Sequence, residues 1–155
     1  GLTNVAFVRA PIDFINKYFI KDEVEEIWIP FADPFPRFTQ WKKRLTHPRF
    51  LRLYQQILCA NGSVHVKTDS PVLFHFTKEV IHCFQLSLEE EDTDLYNRKV
   101  LTPELSIQTH YEQLDIAKSR CIFYLKFKID QPLSLEKDIV LKHMLQEKLK
   151  DASPY

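Results

Sequence analysis

Residues 26–46 read EIWIPFADPFPRFTQWKKRLT and form the most informative segment of the chain. Residues 26–31 are a nearly continuous apolar run of strand length, which predicts a strand covered on both faces and central in its sheet. Residues 32–46 combine two prolines, three aromatic residues and four basic residues. Because the prolines cannot continue a β ladder, we expect an exposed, mobile loop over residues 35–44.

Strand and helix patterns alternate on both sides of this segment. The predicted strands are residues 4–9, 26–31, 63–69 and 121–129. The helical patterns begin at Pro11, Pro48, Pro71 and Pro132. This order predicts an α/β layered domain with a mostly parallel sheet.

Three details complete the predicted outline. The helix from Pro48 is expected to end at Asn61-Gly62, residue types that tolerate a left-handed cap. The acidic run at residues 89–94 is expected to be a solvated loop. The terminal helix is expected to bury one apolar side, formed by Leu135, Ile139, Leu145 and Leu149.

Composition excludes several classes of protein. The 155 residues carry 21 basic and 21 acidic side chains, so zero net charge argues against a nonspecific nucleic-acid coat. No apolar run approaches the roughly 20 residues of a membrane span, and the chain is expected to be soluble and cytoplasmic. Cys59, Cys83 and Cys121 lack metal-ligand spacing and are expected to be reduced packing residues, so no metal site is predicted. With only two glycines, the chain contains neither GxGxxG nor GxxxxGK[ST].

Candidate site residues follow the predicted strands, because ligands of α/β sheets bind at the carboxyl ends of strands. Asp33 precedes a proline and a basic loop, an arrangement that suits a cationic cofactor beside phosphates. Asp33 is equally explained as a turn residue, and the basic loop as a solvated surface. Asp69, Thr109 and Glu112 fall at similar positions, although each could be a helix cap or a surface residue.

The motifs FADPFPR (31–37), KKRLTHPRFL (42–51), VHVKTDS (64–70) and THYEQ (109–113) resemble those of the bacterial tRNA (guanine-N7-)-methyltransferase family, in its Bacteroidetes-type form. The resemblance implies a Rossmann-like class I methyltransferase fold, a three-layer sandwich. It also implies methyl transfer from S-adenosylmethionine to N7 of a variable-loop guanine in tRNA. The family's glycine-rich turn and first strands have no counterpart here, so the resemblance implies an N-terminally incomplete domain.

The resemblance also implies roles for individual residues. Asp33 corresponds to the catalytic, cofactor-contacting aspartate, and Pro11 and Ile12 to the adenine contact. The substrate-binding positions are Arg37, Asp69, Thr109, His110, Tyr111 and Glu112. The RNA-binding positions are Thr39, Gln40, Trp41, Lys42, Lys43 and Arg44.

The resemblance also implies a domain organisation and an activity. Residues 1–130 would form the later part of the methyltransferase domain and residues 131–155 a terminal helix and tail, in a monomer or a homodimer. We expect a full-length polypeptide to methylate tRNA and the 155-residue chain alone not to do so. The alternatives are an inactive tRNA-binding relative and a generic α/β interaction module.

Overall fold

The computed structural model describes residues 3–113 and 121–151. Its strands are β1 Val24–Pro30, β2 Leu58–Thr68, β3 Ser87–Asp92 and β4 Phe123–Lys128. The α-helices are α1 Pro48–Ile57, α2 Pro71–Phe84, α3 Pro103–Ser106, α4 His110–Gln113 and α5 Glu136–Asp151. Three short 3₁₀ helices are η1 Ile12–Lys17, η2 Phe38–Lys43 and η3 Leu95–Asn97. In this described part, no helix is both long enough and apolar enough to cross a membrane.

The four strands form one sheet in the order β1-β2-β4-β3. The α/β class is confirmed, but the prediction of a mostly parallel sheet is wrong for the described strands. β1 and β2 are parallel, whereas β4 runs antiparallel to both β2 and β3. β1 is also an edge strand of this sheet rather than a central one, and its Trp28 is 37% exposed. An apolar run indicates that the faces of a strand are buried, but it does not determine whether the strand lies at the centre or at the edge of its sheet.

One face of the sheet packs against α1, α2 and α5. Alternate side chains of the strands point to this face and join the helices in the main core. The sheet contributes Ile29, Val64, Val66, Leu125 and Phe127. The helices contribute Phe50, Leu51, Tyr54, Leu73, Phe74, Val80, Phe84 and Leu141.

The opposite face of the sheet is polar and aromatic. Trp28 of β1 stacks on His65 of β2, with 4.0 Å between ring centroids. His65 Nδ1 forms a 2.8 Å hydrogen bond with the hydroxyl of Tyr124 in β4. A second, smaller core covers part of this face, where Tyr124 and Ile122 pack with Leu95 and Leu105.

Two predictions of secondary structure, for the N-terminal strand and for the acidic run, are wrong. Residues 4–9, predicted as a strand, form none, and Phe7 is 95% exposed. The acidic run is not a loop, because its first residues belong to β3. There Glu89 faces two lysines of β4, with its carboxylate 2.8 Å from Lys128 Nζ and 3.5 Å from Lys126 Nζ. Cross-strand pairing of opposite charges therefore offsets the repulsion within the run.

The junction between α1 and β2 also differs from the prediction. α1 ends at Ile57 and β2 begins at the next residue, so Asn61-Gly62 lies inside the strand. Gly62 has no room for a side chain there, since a Cβ would come within 2.9 Å of the Glu25 carbonyl oxygen. This glycine is required by packing against β1 and not by a helix cap.

The terminal helix α5 is confirmed, but its buried side is not the predicted one. Leu135, Ile139 and Leu149 are each more than half exposed. Leu141 is fully buried in the main core against α2, and Leu145 is half-buried. A helix this rich in charges allows more than one apolar stripe, and α2 selects among them.

Side-chain caps begin helices α1 and α2 under the sheet. Ser70 Oγ accepts a 3.4 Å hydrogen bond from the amide of Leu73, as the predicted cap of α2. At α1 the cap is His47, whose Nδ1 accepts a 3.0 Å hydrogen bond from the amide of Arg49. His47 is buried between the rings of Trp41 and Phe76. Burial lowers the pKa of His47 to about 4.

We predict that His47 makes the free energy of unfolding depend on pH. The folded state keeps this imidazole neutral, while the unfolded state takes up a proton below pH 6.5, so stability falls as the pH falls from 6.5 towards 4. Between pH 7 and pH 5 the His47 contribution to this loss should be about 2 kcal/mol. His47→Asn keeps a capping oxygen and should remove that contribution.

Urea denaturation at both pH values measures this effect, with His82→Asn in the exposed part of α2 as the control. An unchanged pH dependence in His47→Asn would contradict the assignment.

Candidate functional site

Two candidate carboxylates lie beyond the same end of two neighbouring strands. β1 and β2 are parallel, and Pro30 lies opposite Lys67 in their register. The pairing continues one residue further, where the amide of Phe31 donates a 2.7 Å hydrogen bond to the Lys67 carbonyl. Asp33 and Asp69 each follow this point by two residues, and Asp33 is exposed. The parallel register thus brings the loops of both aspartates to one edge of the sheet, as the strand-end argument predicts.

The loop that carries Asp33 is held in an unusual backbone conformation. Phe31 and Phe35 have φ angles of 50° and 42°, in the left-handed region that bulky residues avoid. Each such residue costs about 1–3 kcal/mol and persists only where surrounding contacts hold it. These two residues bracket Asp33, so the fold constrains the backbone that carries its carboxylate.

Arg44 supplies contacts that hold this loop. Its Nε and Nη2 donate 2.9 Å hydrogen bonds to the carbonyl oxygens of Pro34 and Phe35. The guanidinium also lies 4.6 Å from the centre of the Phe76 ring, and the residue is only 6% exposed. Arg44 was predicted to face RNA from an exposed loop, but the structure turns it inward to the Asp33 loop.

The exposure predicted for residues 35–44 is therefore only partly correct. Trp41 is also buried, at 5% exposed, and packs against His47 and Phe76. Residues 38–43 form η2, which places the bulky rings inward. Arg37, Thr39, Lys42 and Lys43 remain exposed and Gln40 is half-buried. An RNA contact for these residues stays a prediction.

A buried ionic cluster adjoins the end of β2. Lys67 Nζ lies 3.1 Å from the Glu112 carboxylate, and the two side chains are 6% and 4% exposed. The lysine also donates to the Tyr96 hydroxyl at 2.9 Å and to the Ile107 carbonyl at 2.8 Å. The Tyr96 hydroxyl in turn donates to Glu112 at 2.6 Å. This Lys67–Tyr96–Glu112 cluster attaches residues 107–112 to the sheet.

Thr109 and Glu112 also bond to each other. Glu112 Oε2 accepts a 2.6 Å hydrogen bond from the Thr109 amide, and Thr109 Oγ1 accepts a 3.3 Å bond from the Glu112 amide. This reciprocal pair is a capping box at the start of α4. Burial raises the pKa of Glu112, but the hydrogen bonds from Tyr96, Thr109 and Lys67 outweigh burial and hold that pKa below its ordinary value. Glu112 is thus a carboxylate in the folded chain.

The remaining predicted site residues are distributed as follows. His110 begins α4 and is exposed, whereas the side chain of Tyr111 lies outside the described part. Pro11 and Ile12 lie at the start of η1, which packs against α1, and Ile12 is partly buried against the main core. Their role towards a cofactor stays a prediction.

Sequence reasoning missed Lys67 and Tyr96. The available signal was a lysine inside the apolar strand pattern VHVKT, since a lysine is almost never fully buried unless it has a partner. The identity of that partner could not be read from the sequence, because Glu112 lies 45 residues away.

The described residues offer only part of a nucleotide-type cofactor site. Asp33 is an exposed carboxylate at a strand end, which suits a positively charged group. Gly62, the one glycine in the described part, lies inside β2 and forms no ligand-binding turn. Within residues 3–113 and 121–151, no group of three or more His, Cys, Asp or Glu side chains is arranged to hold a metal ion.

These features define an α/β protein whose polar residues gather where two parallel strands end. The sequence profile of the family described as "Putative methyltransferase" matches residues 1–125. The chain therefore belongs to this family of methyltransferases, and its mixed sheet with flanking helices is consistent with a Rossmann-like methyltransferase fold.

Curated relatives carry a more specific name. A tRNA (guanine-N(7)-)-methyltransferase of Porphyromonas gingivalis is 40% identical over 133 residues, which cover 85% of this chain and 54% of the relative. The protein of the same name from Bacteroides thetaiotaomicron is 40% identical over 131 residues, covering 84% of this chain and 51% of the relative. In Bacteroides fragilis the identity is 38% over 143 residues, covering 92% and 56%. The chain thus spans about half the length of the curated relatives it matches.

The packing of η2 can be tested with the two tryptophans of the chain. Trp28→Phe leaves Trp41 alone, and we predict blue-shifted emission with weak acrylamide quenching because Trp41 is 5% exposed. The reciprocal control, Trp41→Phe, leaves Trp28 at 37% exposed and should be quenched more strongly. Emission from Trp41 resembling free tryptophan would instead support the exposed loop.

Proposed function

We propose that the protein containing this chain is a tRNA (guanine-N7-)-methyltransferase, and that this chain supplies the part of its site that receives the guanosine. The observation that carries the proposal is the exposed Asp33 carboxylate, held on a strained and clamped loop at the same sheet edge as Asp69. The names of the relatives support the choice of substrate. A tRNA substrate also supports a cytoplasmic location.

The chemistry of guanine N7 suits this arrangement. N7 carries an in-plane lone pair and no proton, so its methylation needs no general base. What the reaction needs is alignment of the nucleophile and an environment that stabilises positive charge as it moves to the purine. A carboxylate on a constrained loop, such as Asp33, would provide that stabilisation.

S-adenosylmethionine is the proposed methyl donor, and when bound it would supply a methyl group on a positively charged sulfonium. Asp33 is the described residue best suited to face that charge. The sequence contains no glycine-rich turn of the GxGxxG type to hold the rest of such a donor. For this reason we do not expect the 155-residue chain by itself to transfer methyl groups.

The exposed cations beside Asp33 suit the phosphates of tRNA. Arg37, Lys42 and Lys43 are exposed on and next to η2, while Trp41 of that helix packs inward against His47 and Phe76. A basic surface next to the Asp33 carboxylate would orient the RNA through its phosphates, which carry no information about base sequence.

We predict that Asp33→Asn lowers methyl transfer strongly. The substitution keeps the shape of the side chain but removes its charge, and loss of one preorganised electrostatic contact costs about 100-fold or more in rate. Radiolabelled methyl transfer to tRNA, by the polypeptide of the complete gene containing this chain, measures the effect.

The matched control for Asp33→Asn is Glu25→Gln, which neutralises an exposed carboxylate towards the opposite end of β1. The control should keep the wild-type rate. If Asp33→Asn also kept that rate, Asp33 would have no catalytic role. If the wild-type protein bound tRNA without methylating it, the protein would be an inactive tRNA-binding relative.

For Arg37→Ala, we predict weaker tRNA binding with a smaller effect on the rate at saturating RNA. Removal of one phosphate contact should also reduce the slope of log affinity against log salt by about 0.7 to 0.9. Filter binding across a salt series tests this, with Lys21→Ala as a control because Lys21 is exposed just before β1 begins. Equal losses in both variants would show nonspecific attraction and no defined contact at Arg37.

A further inference from the structure

The oxygens of Glu112 are already engaged inside the protein. Oε1 accepts from the Tyr96 hydroxyl at 2.6 Å and forms an ion pair with Lys67 Nζ at 3.1 Å. Oε2 accepts from the Thr109 amide at 2.6 Å and from Lys67 at 3.4 Å. A carboxylate has about four acceptor positions, so these bonds leave it little capacity for a substrate.

We propose that Lys67 and Glu112 form a positioning pair, which holds Thr109 at the end of β2 so that Thr109 contacts the guanosine. This inference rests on the proposed function, because the substrate is the one assigned above. In this proposal Glu112 acts on the substrate only through Thr109, and Lys67 acts by holding Glu112 and residues 107–112.

Lys67 is suited to this role by its complete set of partners. An ammonium has three donors, and those of Lys67 reach Tyr96, the Ile107 carbonyl and Glu112. The carbonyl precedes Thr109 by two residues and Glu112 follows it by three, so the lysine holds the segment on both sides of Thr109. Removing either charge of a buried pair leaves the other uncompensated.

Thr109, unlike Glu112, retains hydrogen-bonding capacity for a substrate. Its hydroxyl oxygen accepts one bond from the Glu112 amide, which leaves the hydroxyl proton and a second lone pair. The residue is half-buried and so keeps some access to solvent. A hydroxyl that can both donate and accept is suited to the polar edge of a purine.

Polar contacts tie residues 107–112 to the sheet. Lys67 of β2 makes two of these contacts, to Ile107 and to Glu112, so loss of the pair should loosen residues 107–112 while the main core stays folded.

Amide hydrogen exchange tests the pair independently of activity. In Lys67→Met the Thr109 amide should exchange at least about tenfold faster than in wild type, while the amides of β2 keep their protection. Lys78→Met is the matched control, because Lys78 pairs with Glu91 in a more exposed ion pair. Unchanged protection of the Thr109 amide in Lys67→Met would overturn the proposal.

Methyl transfer by the polypeptide of the complete gene tests the consequence for function. Lys67→Met and Glu112→Gln should each lower kcat about tenfold or more without changing the KM for S-adenosylmethionine, and the double variant should be no worse than the poorer single, because residues acting as a unit are not additive. Lys67→Arg should recover part of the rate, since it restores the charge. Multiplying losses in the double variant would show that Glu112 acts on the substrate separately and would overturn the pairing.

The two measurements separate the two proposals. Absence of methyl transfer by the wild-type protein would contradict the proposed function, while hydrogen exchange would still decide whether Lys67 positions Thr109. Methyl transfer that is normal in Lys67→Met, with the Thr109 amide released, would overturn the positioning role and leave the proposed function intact.

Discussion

Lys67 is the residue on which both halves of the candidate site depend. Its carbonyl accepts a hydrogen bond from the amide of Phe31, just beyond the end of β1. This bond fixes the point at which the Asp33 loop leaves the sheet. The Lys67 ammonium lies on the polar face of the sheet and holds Glu112. A buried charge of this kind is costly unless its donors find partners, and Tyr96, Ile107 and Glu112 supply them.

The fold uses buried polar contacts to hold strained or short segments at this edge. Arg44 keeps two carbonyls of the Asp33 loop in place while its guanidinium lies against the Phe76 ring. The loop, with its two positive φ angles, would not keep its conformation alone. Rigid placement of this kind serves a reaction that depends on alignment and on fixed charge.

Much of the outline could be predicted from local patterns. The β1 run, the proline starts of α1 and α2, and the Ser70 cap are recorded in neighbouring residues, and each is found as predicted. The edge position of β1, the antiparallel direction of β4 and the strand formed by acidic β3 were not predictable in this way. Each depends on a partner strand, and β3 in particular depends on lysines of β4 that lie far along the chain.

For the candidate site, the sequence by itself determined the residue types at the strand ends and the motifs that relate the chain to methyltransferases. Only the tertiary structure decided which of those residues face solvent and which face inward. Arg44 and Lys42 are both basic residues of one segment, yet Arg44 is buried against the Asp33 loop and Lys42 is exposed. Lys67 and Glu112 became a pair for the same reason. Burial and ion pairing depend on distances across the fold, which neither spacing nor composition records.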